Sequence, residues 1–140
     1  MTQRTRTDRL KTALRAAGVR LTRQRAALLE VLAKADDHPD AAALHDRTRA
    51  IEPGVSLSTV YRTLTALEEQ GVIHKHVFQG ESARYEHAQT DHHDHMIDVD
   101  TGEVIEFTSE KIEQLQAEIA AELGYDILHH RMELYVRRKS

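Results

Sequence analysis

The chain has 140 residues, 40% hydrophobic and 30% charged, with a formal net charge of −4, no cysteine and ten histidines. That length makes one domain or two small lobes, and no run of about 18 apolar residues is present to span a bilayer. Without cysteine there is no disulfide framework, no thiolate nucleophile and no sulfur-ligated zinc or iron–sulfur site.

Helical periodicity runs through the first seventy residues. Leu10, Ala13, Leu14 and Ala17 share one face, and Gly18 is placed to stop that helix. Thr22 can N-cap a second helix that buries Ala26, Leu28, Leu29 and Leu32. Asp40 can cap a third, running through Leu44 towards Ile51 and broken at Glu52-Pro53-Gly54. Ser56 or Ser58 starts a fourth, with Val60, Leu64 and Leu67 inward and a stop at Gln70-Gly71. From residue 72 the pattern changes to strands. Segments 72–78 and 83–87 flank Gln79-Gly80-Glu81-Ser82 as a hairpin, and 96–99 and 103–107 flank the turn Asp100-Thr101-Gly102. Ser109 can cap a helix carrying Ile112, Leu115, Ile119 and Leu123, stopped by Gly124. The last segment alternates, with Leu128, His130, Met132, Leu134 and Val136 on one face, and reads as a strand.

The expected fold is α+β: an N-terminal winged helix-turn-helix over residues 1–85, a hinge at 86–91, and a small α/β dimerisation lobe over 92–140. A lobe of about fifty residues buries little surface by itself, which argues for a homodimer. Charge divides along the same line. Residues 1–90 carry 14 Lys and Arg against 11 Asp and Glu, a net of +3, while residues 91–140 carry 5 against 12, a net of −7. The first part can face a polyanion while the second keeps the protein soluble. The N-terminal ten residues lack an apolar stretch and read as a basic arm, not a secretory leader.

Two local patterns carry chemistry. The fourth helix leaves Ser58, Thr59, Tyr61, Arg62 and Thr65 outward, a surface suited to phosphates, guanine and thymine methyls. Arg15, Arg20, Arg23 and Arg25 lie upstream for backbone or minor-groove contacts, and the hairpin offers His74, Lys75 and His76 as a wing. The second pattern is His92-His93-Asp94-His95. On an extended segment His93 and His95 point one way and His92 and Asp94 the other, which suits two adjacent metal sites. Imidazole and carboxylate donors fit Fe(II), Mn(II), Co(II), Ni(II) or Zn(II).

These motifs resemble the ferric uptake regulator family of bacterial metal-dependent repressors. The resemblance rests on Leu21-Thr22-Arg23-Gln24-Arg25, Ser58-Thr59-Val60-Tyr61-Arg62, His92-His93-Asp94-His95 and Gly102-Glu103-Val104-Ile105-Glu106-Phe107, in that order. It implies a regulatory metal site at His38, Glu86, His93, His95 and Glu106, and a second site at His92, Asp94, Glu113 and His130. It also implies Tyr61 and Arg62 at major-groove bases, Ser58 and Thr59 beside them on the reading helix, and Arg20 in an A·T-rich minor groove. The expected cofactor is Fe(II), with Mn(II) the alternative in vivo and Zn(II) or Mn(II) substituting in vitro. The expected partners are double-stranded operator DNA and a second copy of the chain, with pairing of dimers into tetramers on DNA left open. No membrane is involved, and the location is the bacterial cytoplasm.

The chain departs from the family where many members carry two Cys-x-x-Cys pairs. Asp98 and Thr101 stand at the first pair, so that structural zinc site is absent. His45 and His87 match no ligand position and read as structural or exposed. A metallohydrolase with an open water position is the rival from another class. It lacks an H-E-x-x-H motif and leaves the helix-turn-helix without a role. A metal buffer that recognises no DNA is a third reading.

Overall fold

The computed structural model describes residues 3–88 and 93–140; His92, and with it one expected ligand, lies outside them. In chain order the elements are α1 (Gln3–Ala16), α2 (Arg23–Lys34), α3 (Ala41–Arg49), α4 (Leu57–Glu69), β1 (Ile73–His76), β2 (Arg84–His87), β3 (Asp94–Asp98), β4 (Val104–Phe107), α5 (Glu110–Leu123) and β5 (Glu133–Val136). They divide into two units, Met1–Ala88 and Gln89–Ser140. The architecture is α+β.

The first unit is built on buried leucines. Leu10 and Leu14 of α1, Leu28 and Leu29 of α2, Leu44 of α3 and Leu64 and Leu67 of α4 are all sealed from solvent. Each such side chain contributes about 1.5–3 kcal/mol on removal from water. Ala26, expected inward, is only half-buried, and Ala27 is buried beside Leu28. The reason is that α2 packs against α1, α3 and α4 at once, so its apolar stripe is wider than a single seam. Ile73 and Tyr85 extend this core from the β1–β2 hairpin.

Helix starts follow the expected capping chemistry. Side chains of Thr22, Asp40, Ser56 and Ser109 accept from the N–H groups of Arg25, Ala43, Thr59 and Ile112. Ser56, not Ser58, is therefore the α4 cap. Gly124 closes α5 at φ 86, a left-handed position that suits glycine.

The segment between α2 and α3 fixes the position of one candidate ligand. Tyr85 N–H donates to Pro39 O at 2.9 Å, and Asp40 forms an antiparallel bridge with Arg84. Extending that register by two residues sets His38 across from Glu86, both facing the same side. Asp40 ends this short pairing and begins α3 in one residue. Its Oδ1 accepts from Ala43 N–H at 2.8 Å and its Oδ2 from the Ser82 hydroxyl at 2.9 Å.

In the second unit the strand order is β4-β3-β5, with β3 antiparallel to β4 and parallel to β5. A parallel return needs a crossover, which α5 supplies. Asp98 shapes the intervening turn by accepting the N–H groups of Asp100 at 2.9 Å and Thr101 at 3.2 Å. The last strand is shorter than its alternation predicts, only Glu133–Val136. Among the described residues its pairing with β3 runs from His95↔Glu133 to Asp98↔Val136, the end of the alternating segment. No residue of α5 is buried within the chain, and Leu115, Ile119 and Leu123 are at least half exposed.

The Ala43 N–H bonded to Asp40 holds its carboxyl below the usual carboxylate range, against an opposing effect of burial. Asp40→Ala should cost about 1 kcal/mol in denaturant unfolding at neutral pH. A depressed folded pKa means this contribution is present above the ordinary carboxylate value and is lost as pH falls through the folded one. The gap between variant and wild type should therefore close in acid.

Candidate metal-binding and DNA-reading sites

In the first unit, His38 Nε2 lies 2.6 Å from Glu86 Oε2, with the two side chains only 6% and 4% exposed. The other oxygen, Glu86 Oε1, lies 2.5 Å from His76 Nε2. His76, expected on the wing surface, is thus turned towards the carboxylate, while His74 and Lys75 are exposed. A buried carboxylate beside an imidazole nitrogen is an oxygen-and-nitrogen donor pair. It suits the divalent cations expected from the sequence.

In the second unit, the β3–β4 ladder pairs His95 with Glu106. His93 stands on the same side as His95, the two rings 4.9 Å apart between centroids, and His93 Nε2 is 3.6 Å from Glu106 Oε1. Asp94 faces the other way, as alternation along a strand requires. Its Oδ1 is 3.0 Å from His130 Nε2, which is 3.6 Å from Glu113 Oε1. Ligand atoms of Asp94, Glu113 and His130 all lie within 4.8 Å of one another. His130 reaches this cluster from the irregular stretch before β5, not from the face of a strand as expected.

Sequence reasoning missed Gln116. Its Nε2 is 2.7 Å from His130 Nδ1 and donates to Glu113 Oε2 at 3.0 Å. The available signal was helical spacing, since residues three apart on α5 share a face. An amide N–H can only donate to Nδ1, so in this geometry the His130 proton sits on Nε2 and points at Asp94 Oδ1. Of the remaining histidines, His45 donates from Nε2 to Val55 O at 2.9 Å, tying α3 to the turn that opens α4. His87 is half-buried, and that burial pushes its imidazole below the ordinary value.

On α4, Val60, Leu64 and Leu67 are buried, and Ser58, Tyr61, Arg62 and Thr65 are exposed, with Tyr61 half open to solvent. Thr59 is partly covered, and its hydroxyl accepts from Ser56 Oγ at 2.9 Å, so it also serves the helix start. Arg20 is exposed. Arg25 donates to Arg20 O at 2.7 Å and thereby fixes the backbone that carries it. Arg23 pairs with Glu52 at 3.3 Å across a solvent-exposed gap, a contact that water and salt weaken.

The family model described as the ferric uptake regulator family matches residues 16–135. A ferric uptake regulation protein of Brucella abortus is 53% identical over 125 residues, covering 89% of each chain. Among solved structures, a zinc-bound manganese uptake regulator superposes with a TM-score of 0.80 at 42% identity, covering 93% of this chain and 98% of the other. The Helicobacter pylori ferric uptake regulator, described as having three functional metal-binding sites, gives 0.87 at 29% identity, covering 99% and 93%. A match across most of the chain, a relative above half identity and superposition over both units agree: the chain belongs to the ferric uptake regulator family of metal-responsive transcriptional regulators.

Proposed function

We propose that the chain is a repressor that binds A·T-rich palindromic operators as a homodimer when loaded with Fe(II), and so controls metal-uptake genes. One observation carries the metal dependence. The donors of the regulatory set are split between two units that each fold around their own part: His38 with Glu86 in one, His93, His95 and Glu106 in the other. A divalent cation bound there supplies the positive charge that these donors share.

The residues then act by restricting geometry. Donors on two units that divide at Ala88–Gln89 can serve one cation only in those orientations that bring all of them within coordination distance. Loading therefore selects among hinge angles. Changing a 1:99 population to 99:1 takes about 5.5 kcal/mol of differential binding. In a symmetric dimer the selected angle sets the spacing of two α4 helices against two half-sites. Ser58, Thr59, Tyr61 and Arg62 face the major groove in this reading and Arg20 an adjacent minor groove. The second site, at His92, Asp94, Glu113 and His130, lies within one unit and serves the stability of that unit. Dimers pairing into a tetramer on longer operators would follow from repeated half-sites.

The homodimer is supported by the open apolar side of α5. Leu115, Ile119 and Leu123, with Tyr125 nearby, form an uncovered hydrophobic surface on a unit of about fifty residues. A second copy covers it symmetrically. A manganese-responsive regulator is the second reading, favoured by the 42% identity to the manganese uptake regulator.

Three outcomes are expected. Titrated anaerobically with Fe(II) or Mn(II), the wild type should gain affinity for a labelled palindromic operator, and His93→Ala should not. Operator binding by His93→Ala as tight as that of the metal-loaded wild type would rule out the clamp. Arg62→Ala should lose about 1–3 kcal/mol of discrimination between operator and scrambled DNA. A fall in non-specific affinity alone would remove Arg62 from base reading. Ile119→Glu should shift the chain from dimer to monomer in analytical sedimentation.

A further inference from the structure

The contact between His76 and Glu86 has no place in the ligand set. His74 stands directly opposite Glu86 in the β1–β2 ladder and His76 opposite Arg84, so His76 and Glu86 are diagonal neighbours on one face. Diagonal pairs are about 7–8 Å apart at the backbone, within reach of long side chains. Across the other edge of β2, the segment carrying His38 pairs with the same strand. Glu86 therefore sits between two imidazoles, with one oxygen towards each: Oε1 at 2.5 Å from His76 and Oε2 at 2.6 Å from His38.

The ring of His76 is itself held. It stacks on Phe78 with centroids 5.8 Å apart and planes 9° from parallel, and Phe78 is 1% exposed. A buried aromatic thus fixes the plane of an imidazole, whose Nε2–H fixes one oxygen of a carboxylate.

Resting on the assignment of His38 and Glu86 as metal ligands, we propose that His76 is a positioning residue for the regulatory site. From the wing strand it holds Glu86 Oε1, so that Glu86 offers the cation a single oxygen, Oε2, beside His38. A carboxylate with both oxygens available can rotate and chelate through both; one with Oε1 engaged cannot. In this arrangement His76 acts on the ligand carboxylate and is not itself a ligand. Outer partners of this kind typically contribute about 10–100-fold in metal affinity. The arrangement also joins the ligand carboxylate to β1, the strand that presents His74 and Lys75.

Co(II) titration of the full-length metal-free protein, read by visible absorption, tests this. Glu86→Ala identifies the band of the regulatory site as the one it abolishes. His76→Phe keeps a ring against Phe78 but removes the donor, and His76→Gln keeps an N–H donor but removes the ring. The expected result is about 10–100-fold weaker Co(II) binding at that band for His76→Phe, with most of the affinity kept in His76→Gln. Melting temperatures of the metal-free variants monitor folding. Equal loss in both variants would overturn the proposal in favour of direct ligation by His76. Loss in His76→Gln alone would overturn it in favour of packing. Wild-type affinity in both, with the band abolished only by Glu86→Ala, would overturn it while leaving the ligand assignment standing. If Glu86→Ala abolishes no band, the ligand assignment fails and takes the proposal with it.

Discussion

Much of the first unit depends on one short pairing along the free edge of β2. The Tyr85 N–H bonded to Pro39 O and the isolated Asp40–Arg84 bridge seat a few residues along that edge. Proline has no N–H to return to Tyr85, so this pair is held by one ladder bond. This register sets His38 against Glu86. The residue after Pro39 then caps α3, so the start of that helix is fixed by the same contact. His45 of α3 holds Val55 O, and Ser56 next to it caps α4. From the candidate ligand carboxylate to the first turn of the reading helix, the elements are joined by hydrogen bonds without a flexible gap.

What the sequence revealed and what it concealed follow from the range of the interactions. Caps are local: Thr22, Asp40 and Ser109 each reach an N–H three residues on, and Gly124 needs only its own φ. The division of His93 and His95 from Asp94 follows from the two-residue period of a strand, and it was legible before any fold was known. The residues that make up the ligand sets came from the family resemblance, since nothing in the spacing of His38, Glu86 and Glu106 announces a shared task. Three features needed the register. His76 meets Glu86 only because the hairpin turn sets the diagonal. His130 meets Gln116 fourteen residues back along the chain. The C-terminal strand begins with its pairing to β3 at His95↔Glu133, a register that its own alternating residues do not set.

The second unit shows the limit of a small fold. Three short strands and one helix leave α5 with no buried residue, although both of its ends are capped and its apolar stripe has the right period. Local rules are satisfied and tertiary burial is not. A unit of that size gains little from its own core, and in the absence of cysteine no disulfide or sulfur-ligated metal can compensate. On the proposed reading, stability comes from burial against a second copy and from a cation held by Asp94, Glu113 and His130.

Electrostatics links the two parts in the proposed function. The acidic half carries a net of −7, which repels a polyanion, while the basic half carries +3. Glu86, Glu106, Asp94 and Glu113 are four carboxylates among the proposed ligands. Neutral imidazoles add no charge, so two divalent cations would balance these carboxylates. On the proposed mechanism loading would act in two ways on DNA affinity: it would restrict the hinge, which favours matched half-sites, and it would lower the repulsion that the acidic unit exerts on phosphate. The first effect depends on operator sequence and persists in salt. The second does not depend on sequence and fades as the Debye length shortens to about 8 Å at physiological ionic strength. Sequence discrimination therefore has to come from the hinge and the face of α4, and the neutralised charge adds only to general affinity.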